Sequence, residues 1–212
     1  MAQEQSVREK YMKRLYLVRH GQTEYNLKKL VQGRCDSPLT ELGREQALAA
    51  GRWLADHEVR PQAAGTSPLG RAFSTLGLLL SCLTERGLVG QQLTPIAVRG
   101  LIERDYGSFE RGPMANVPGN VWDPRDALVP FGGEGNAELR GRVVSALREL
   151  LAPEDVSCAL AVSHGSASQQ FLKACMPETE VPAKLPNCAI MVCDYEPATG
   201  EFFVKDIVDP LA

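Results

Sequence analysis

Short apolar runs alternate along this chain with longer segments that carry one apolar face. The short runs predict strands at residues 15–18, 62–66, 95–98, 159–163, 189–193 and 202–207. The longer segments predict helices from the N-cap Thr40 to near His57, over 69–83, around 139–151 and after Gly165. Prolines and glycines dominate from Arg104 to Gly133, which indicates a long irregular segment.

This alternation is typical of an α/β domain. Strands separated by helices of this length predict a three-layer α/β/α sandwich with a mostly parallel central sheet. A chain of 212 residues is long enough for one sizeable core. We therefore assign residues 14–212 to a single domain and residues 1–13 to a polar N-terminal extension.

Composition and charge argue against several classes of protein. A formal net charge of −3 disfavours nucleic acid as the main partner. The longest apolar region, 76–83, is interrupted and too short for a membrane span, and residues 1–13 have no apolar stretch of a secretory signal. We expect a cytoplasmic protein with reduced cysteines and no metal site, because the six cysteines form neither a Cys-x-x-Cys pair nor a cluster with histidine.

Two of the three histidines follow predicted strands and precede a glycine. His20 comes directly after the first strand and Arg19, and His164 follows the strand that ends at Ser163. The carboxyl ends of parallel neighbouring strands share one sheet edge, so both imidazoles are expected in one site. A neutral imidazole is a competent nucleophile, and arginine matches phosphate oxygens. The pattern therefore favours phosphoryl transfer.

Several motifs, taken in order, resemble the histidine phosphatase superfamily in its phosphoglycerate-mutase-like branch. The matching segments are Leu17–Asn26, which reads LVRHGQTEYN, then Gln32–Gly33, Asp36–Gly43, Thr66–Ala72, Leu101–Gly107, Gly132–Glu134 and Val162–Gly165. Arg-His-Gly alone would be a weak signal, whereas this ordered set is specific. The resemblance covers nearly the whole chain from Arg14 onward and implies that the domain is catalytic.

The resemblance also implies a role for each site residue. His20 would be the nucleophile that forms a phosphohistidine, and Glu103 would give a proton to the leaving oxygen and then activate water. Arg19, Arg71 and His164 would bind and stabilise the phosphoryl group. Further phosphate or substrate contacts are expected from Asn26, Thr23, Gly33, Gly165 and Ser166. The implied partner is a small phosphorylated substrate, with no cofactor, and the oligomeric state stays open, a homodimer included.

Three functions fit this resemblance. Only about thirty residues separate Glu103 from Gly132, and the cations among them are Arg104, Arg111 and Arg125. The segment therefore offers few groups that could bind a second anionic group of the substrate. This favours a metal-independent phosphatase over a cofactor-dependent phosphoglycerate mutase. The mutase stays an alternative because the Glu103-Arg104 pattern also occurs in mutases. A phosphate-binding module without turnover is remote, since the nucleophile and the acid are both present.

Departures from the family pattern concern the substrate rather than the reaction. They are Glu110-Arg111, Gly135-Asn136 after Glu134, and the run that contains Ser166, Ser168 and Gln169. We expect these positions to lie where the substrate is recognised. Four aromatic side chains in the irregular segment either pack on the apolar part of the substrate or anchor the segment to the core. They are Tyr106, Phe109, Trp122 and Phe131.

Overall fold

A six-stranded sheet lies at the centre of the protein, in a computed structural model that describes residues 12–90 and 92–212. The strands are β1 (Lys13–Arg19), β2 (Ala63–Thr66), β3 (Ile96–Ala97), β4 (Cys158–Ser163), β5 (Ile190–Glu196) and β6 (Glu201–Val208). Their order is β3-β2-β4-β1-β5-β6. The first four in that order are parallel to one another, whereas β5 pairs antiparallel with both β1 and β6, which confirms the mostly parallel sheet. Residues 1–11 of the extension assigned to residues 1–13 lie outside the described residues. Strand β1 begins at Lys13.

Five α-helices within the described ranges accompany the sheet. They are α1 (Glu24–Leu27), α2 (Glu41–Asp56), α3 (Gly70–Glu85), α4 (Asn136–Leu151) and α5 (Gly165–Cys175). Thr40 caps α2 as predicted, because its Oγ1 accepts the amide hydrogen of Gly43 at 3.0 Å. The sequence analysis missed the single-turn helix α1.

The sheet separates two hydrophobic cores, which makes the fold a three-layer sandwich. Leu15 and Leu17 of β1 face α4 and α5, where they pack with Leu147 and Phe171. Val18, on the opposite face of the same strand, packs with residues of α2 and α3. This follows from the period of two along a strand, which sends neighbouring side chains to opposite faces. Helices on both faces are what a parallel sheet requires.

The segment 104–133 is irregular, as predicted. It contains only short 3-10 turns, at Gly107–Phe109, Met114–Asn116 and Val129–Phe131. A small third core of Val31, Tyr106, Val117 and Leu128 anchors it beside the carboxyl end of β1. The segment therefore forms a wall over the sheet edge at which both histidines lie.

Two further observations concern the chain as a whole. Within the described ranges, no helix has the length and hydropathy needed to cross a membrane. The six cysteines form no disulfide bond, and Cys188 and Cys193 are completely buried. Cysteine therefore contributes to this fold as a small apolar side chain.

Candidate active site

The parallel pairing of β1 with β4 brings the two histidines together. Arg19 lies opposite Ser163 in the register, so the chain leaves both strands at the same edge. The rings of His20 and His164 are both buried, with centroids 5.1 Å apart in an edge-to-face arrangement. The predicted convergence of the two imidazoles is confirmed.

One ring nitrogen of His20 is unprotonated and has a free lone pair. Its Nδ1 lies 2.7 Å from the carbonyl oxygen of Gly21, and since a carbonyl can only accept, Nδ1 carries the hydrogen. Burial, followed by the positive charges of Arg71 and Arg19, lowers the pKa of His20 well below its usual 6.5. The ring is therefore neutral at pH 7, and its Nε2 carries the free lone pair.

His164 is held by Ser67, a residue to which the sequence analysis gave no role. The Oγ of Ser67 lies 2.7 Å from His164 Nε2 and accepts the amide hydrogen of Leu69 at 3.3 Å. When the hydroxyl donates to Nε2, the hydrogen of His164 resides on Nδ1, which is buried without a hydrogen-bond partner in the described structure. Burial, followed by the charge of Arg71, lowers the pKa of His164 too, so this ring is a neutral donor.

Two buried guanidinium groups flank His20. Arg19 donates to the carbonyl oxygen of Leu185, and Arg71 donates to the Cys35 carbonyl at 2.7 Å. Burial lowers the pKa of Arg19 to about 10 and also lowers that of Arg71, yet both groups remain cationic at neutral pH. The Nε–H group of each is buried and finds no acceptor among the described residues. Two buried cations, each with an unfilled Nε–H donor, make this a site for an anion.

A tight turn orients Arg71. The Arg71 guanidinium also donates to the Gly33 carbonyl at 2.8 Å and pairs with Asp36 at 2.9 Å. Gly33 adopts a φ of +55°, and a Cβ there would lie 2.1 Å from Glu110 Oε1. The Glu110 carboxylate accepts the amide hydrogens of Arg34 and Cys35 at 2.7 and 2.9 Å, and it thereby fixes the turn that carries the acceptors for Arg71.

Glu103 lies at the N-terminus of α5. Its Oε1 accepts the amide hydrogens of Arg104 at 2.8 Å and Ala167 at 3.0 Å, and its Oε2 accepts that of Ser166 at 3.1 Å. The Ser166 and Ala167 amides are backbone donors that α5 leaves without an internal acceptor. The carboxyl group therefore has a defined position, next to the strand ends that carry both histidines.

Arg142 of α4 supports Glu103 from behind, and the sequence analysis missed it. Its guanidinium donates to the carbonyl oxygens of Gly100, Ile102 and Glu103 at 2.8, 2.6 and 3.0 Å. It also forms a two-point pair with the buried Glu134 at 2.6 and 2.7 Å. The only signal in the sequence is a cation directly before the core residue Val143, which also fits a solvated helix flank.

An open pocket of about 400 Å³, solvent at its mouth included, connects these groups. Its lining consists of Arg19, His20, Asn26, Val31, Gln32, Gly33, Arg71, Glu103, Tyr106, Met114, Val121, Trp122 and Gly165. His164 lies against the His20 ring, whereas Thr23 and Ser166, which we expected to contact the substrate, are outside the lining. The described residues include no group of three or more His, Cys, Asp or Glu side chains placed to hold a metal ion.

Thr23 acts on the site through Asn26. The Thr23 Oγ1 accepts the Asn26 amide hydrogen at 3.2 Å, and the Asn26 Oδ1 accepts that of Thr23 at 3.1 Å. This reciprocal capping box begins α1 and occupies the oxygen of the Asn26 side chain, which leaves its Nδ2 as a donor. The pattern Thr-x-x-Asn was therefore the local signal for the missed helix.

The four aromatic side chains of the irregular segment divide into two pairs. Tyr106 and Trp122 line the pocket, whereas Phe109 and Phe131 contact each other with centroids 5.0 Å apart and lie outside it. The indole of Trp122 covers Arg19, whose Cζ lies 4.8 Å from the ring centroid.

The residues that depart from the family pattern lie outside the lining of the pocket. Arg111 is exposed and lies outside the lining of the pocket. Ser168 and Gln169 are buried in α5 and do not reach the pocket. The Gln169 amide donates to the carbonyl oxygens of Pro182 and Ala183 at 2.9 and 2.8 Å. These residues lie outside the lining, and their contact with the substrate stays a prediction.

Comparisons with known proteins agree with this geometry. Residues 15–206 match the model of the histidine phosphatase superfamily, branch 1. A 2,3-bisphosphoglycerate-dependent phosphoglycerate mutase of Methylorubrum populi is 36% identical over 164 residues, which cover 72% of this chain and 74% of that protein. A mycobacterial glucosyl-3-phosphoglycerate phosphatase is 26% identical with a TM-score of 0.72 over 93% of this chain and 98% of its own. A phosphoglycerate mutase structure from Bacillus anthracis shares the fold, with a TM-score of 0.77 at 22% identity over 93% of each chain. The chain therefore belongs to the histidine phosphatase superfamily.

Proposed function

We propose that this protein is a metal-independent phosphatase that hydrolyses a small phosphate monoester through a phosphohistidine at His20. One observation carries the proposal. Of the described residues that line the pocket, Arg19 and Arg71 are the cationic ones, and both lie beside His20. This charge is suited to one phosphoryl group rather than to a substrate with a second anionic group.

The first step transfers the phosphoryl group to the enzyme. His20 Nε2 attacks phosphorus as the bond from phosphorus to the ester oxygen breaks, and Glu103 gives its proton to that leaving oxygen. Arg19, Arg71 and the His164 Nδ1–H group bind the equatorial oxygens, over which the charge of the transition state is spread. The products of this step are a free alcohol and phosphohistidine.

The second step returns the enzyme to its starting state. The Glu103 carboxylate takes a proton from a water molecule, and the water oxygen attacks phosphorus while the bond from phosphorus to Nε2 breaks. Inorganic phosphate leaves, and His20 is again a neutral ring with its hydrogen on Nδ1. The Gly21 carbonyl keeps that tautomer throughout, because it can accept only from Nδ1–H.

A phosphoglycerate mutase is the second candidate, which the names of the curated relatives favour. That reaction needs further cations for the other anionic groups of a phosphorylated glycerate. Arg104 does not supply one, because it is completely buried and donates to the Glu134 carbonyl at 2.8 Å and to Asn136 Oδ1 at 2.7 Å. Arg111 and Arg125 are exposed outside the lining. The phosphatase therefore fits the charge distribution better.

Two assays, run with a chelator present, separate these candidates. We expect phosphate release from simple phosphate monoesters, and little conversion of 3-phosphoglycerate to 2-phosphoglycerate when the reaction is primed with 2,3-bisphosphoglycerate. Fast isomerisation with little phosphate release would instead establish the mutase. Acid-labile, base-stable labelling should disappear in His20→Asn and persist in the control His57→Asn, which alters the exposed histidine at the end of α2. Labelling that survived in His20→Asn would refute the assignment of the nucleophile.

A further inference from the structure

The pocket has two parts of different chemistry. The inner part contains the charged groups around His20. The outer pocket, as we name it, consists of Val31, Met114, Val121 and Trp122, which all belong to the lining. An ester whose phosphate lies at His20 has room to place its alcohol against this apolar wall, since the wall and the phosphate-binding groups border one cavity.

Trp122 is a part of the outer pocket that lies directly beside a phosphate-binding group. Its ring centroid is 4.8 Å from Arg19 Cζ. The ring also lies directly over Gly165, where a Cβ would come within 2.2 Å of Trp122 Cζ3. A group bonded to a phosphate on Arg19 is therefore within reach of the indole.

The position of Trp122 is set by the protein itself. Its amide donates to Asn120 Oδ1 at 3.0 Å, and its carbonyl oxygen accepts from Ser166 Oγ at 3.2 Å. The Tyr106 hydroxyl donates to the Val121 carbonyl at 2.8 Å and lies 2.7 Å from Ser166 Oγ. Burial raises the pKa of Tyr106, so its hydroxyl keeps the hydrogen that this bond needs. The main chain of Trp122 is therefore held in place, and its ring packs against Gly165 and Arg19, so the residue loses little freedom when a ligand binds.

The charges around the outer pocket disfavour an anionic alcohol. The buried cation beside it is Arg19, whose donors the phosphate of the ester takes up. Lys184, whose Nζ lies 5.9 Å from the Trp122 centroid, is exposed and does not belong to the lining. A carboxylate that entered the outer pocket beside a phosphate on Arg19 would therefore lose hydration without gaining a further buried cation as a partner. An apolar group gains about 25 cal/mol for each Å² that it removes from water.

We infer that the outer pocket selects phosphate monoesters with an uncharged, apolar alcohol, and that Trp122 is the residue that determines this specificity. The inference rests on the proposed function, because it requires the inner part of the pocket to bind the phosphate of an ester. It adds the substrate class, which the motifs that mark the family do not indicate.

Binding of non-hydrolysable phosphonates tests this inference separately from turnover. We expect isothermal titration of the full chain to show benzylphosphonate binding at least tenfold more tightly than methylphosphonate, and phosphonoacetate binding less tightly than benzylphosphonate. Trp122→Ala should reduce the preference for benzyl over methyl at least fivefold. Trp122→Phe, which keeps an aromatic ring and covers the case in which the alanine variant fails to fold, should retain most of it.

A control and three contrary outcomes complete the test. Phe131→Ala removes an exposed aromatic side chain of the same segment that lies outside the lining, so it should leave the preference unchanged. Equal binding of benzylphosphonate and methylphosphonate, tighter binding of phosphonoacetate, or an unchanged preference in Trp122→Ala would each overturn the inference. All three could occur while ethyl phosphate is still hydrolysed through phosphohistidine, in which case the proposed function survives. Binding of none of the phosphonates would refute the inference, and absence of ethyl phosphate hydrolysis would separately refute the phosphatase.

Discussion

Replacing Glu103 with glutamine tests the proposed acid and the helix N-terminus that positions it. The carboxylate accepts three backbone hydrogens, from Arg104 and Ala167 on Oε1 and from Ser166 on Oε2. A glutamine that keeps its oxygen toward the first two turns its NH₂ group toward the Ser166 amide. Two donors then face each other, and one buried N–H group has no acceptor.

The structure gives the size of the expected stability loss. An unsatisfied buried N–H group costs about 1–3 kcal/mol. Loss of a negative charge at a helix N-terminus adds about 0.3–1 kcal/mol, so we expect Glu103→Gln to lower the free energy of unfolding by about 1.3–4 kcal/mol. For a chain of this size, 1 kcal/mol shifts Tm by about 2–4 °C. Calorimetry should therefore show a Tm that is roughly 3–16 °C lower.

The catalytic effect of Glu103→Gln should depend on the leaving group. Removal of a general acid costs about 10²–10⁴ in rate when the leaving oxygen needs a proton. We expect a loss of this size in kcat/KM for ethyl phosphate and a much smaller one for p-nitrophenyl phosphate, whose leaving phenolate is stable without protonation. The control Glu134→Gln breaks the buried pair with Arg142 outside the pocket. This control should lower Tm, and any change that it causes in kcat/KM should be the same for both esters. An equal loss of kcat/KM with both esters in Glu103→Gln would refute the acid assignment.

Two further predictions concern packing and pH. Gly165→Ala should lower kcat/KM at least tenfold, because its Cβ would lie 2.2 Å from Trp122 Cζ3. The matched control is Gly141→Ala on α4, where a Cβ meets nothing within 4 Å. Normal kinetics in Gly165→Ala would contradict the packing. Because burial lowers the pKa values of His20 and His164, the unfolded chain binds protons below pH 6.5 that the folded protein does not. Stability should therefore fall as the pH drops from 6.5 toward the folded pKa values, by up to about 1.4 kcal/mol per pH unit for each ring, as urea unfolding at several pH values will show. A double variant in which glutamine replaces both residues should lose this dependence, whereas one that alters the exposed third histidine should retain it.

Local patterns were sufficient for the architecture. The period of two in Leu15–Val18 and the helical spacing along α4 depend only on near neighbours in sequence, and the structure contains both elements. The alternation of strands and helices leads to the sandwich because a parallel sheet must be covered on both faces. The convergence of His20 and His164 followed from the strand ends, since parallel neighbours present their carboxyl ends together.

Long-range contacts determined the rest of the site. Arg142 is separated from the Gly100 carbonyl by 42 positions, and Ser67 from His164 by 97, so no local pattern connects either pair. The direction of a side chain in an irregular segment is equally hidden, because no periodicity relates it to a face. Trp122 and Phe131 belong to the same segment, yet only the first lines the pocket.

The sequence by itself determined the fold, the family and the convergence of His20 with His164, because an ordered set of motifs and two strand ends encode them locally. Only the tertiary structure decided that Arg104 is buried away from the pocket and that an indole forms the wall beside Arg19. The physical reason is that the residues which follow the strands can be recognised from the local sequence. The shape of the pocket depends on how segment 104–133 packs over the strand ends, and that packing rests on contacts between residues far apart in the chain.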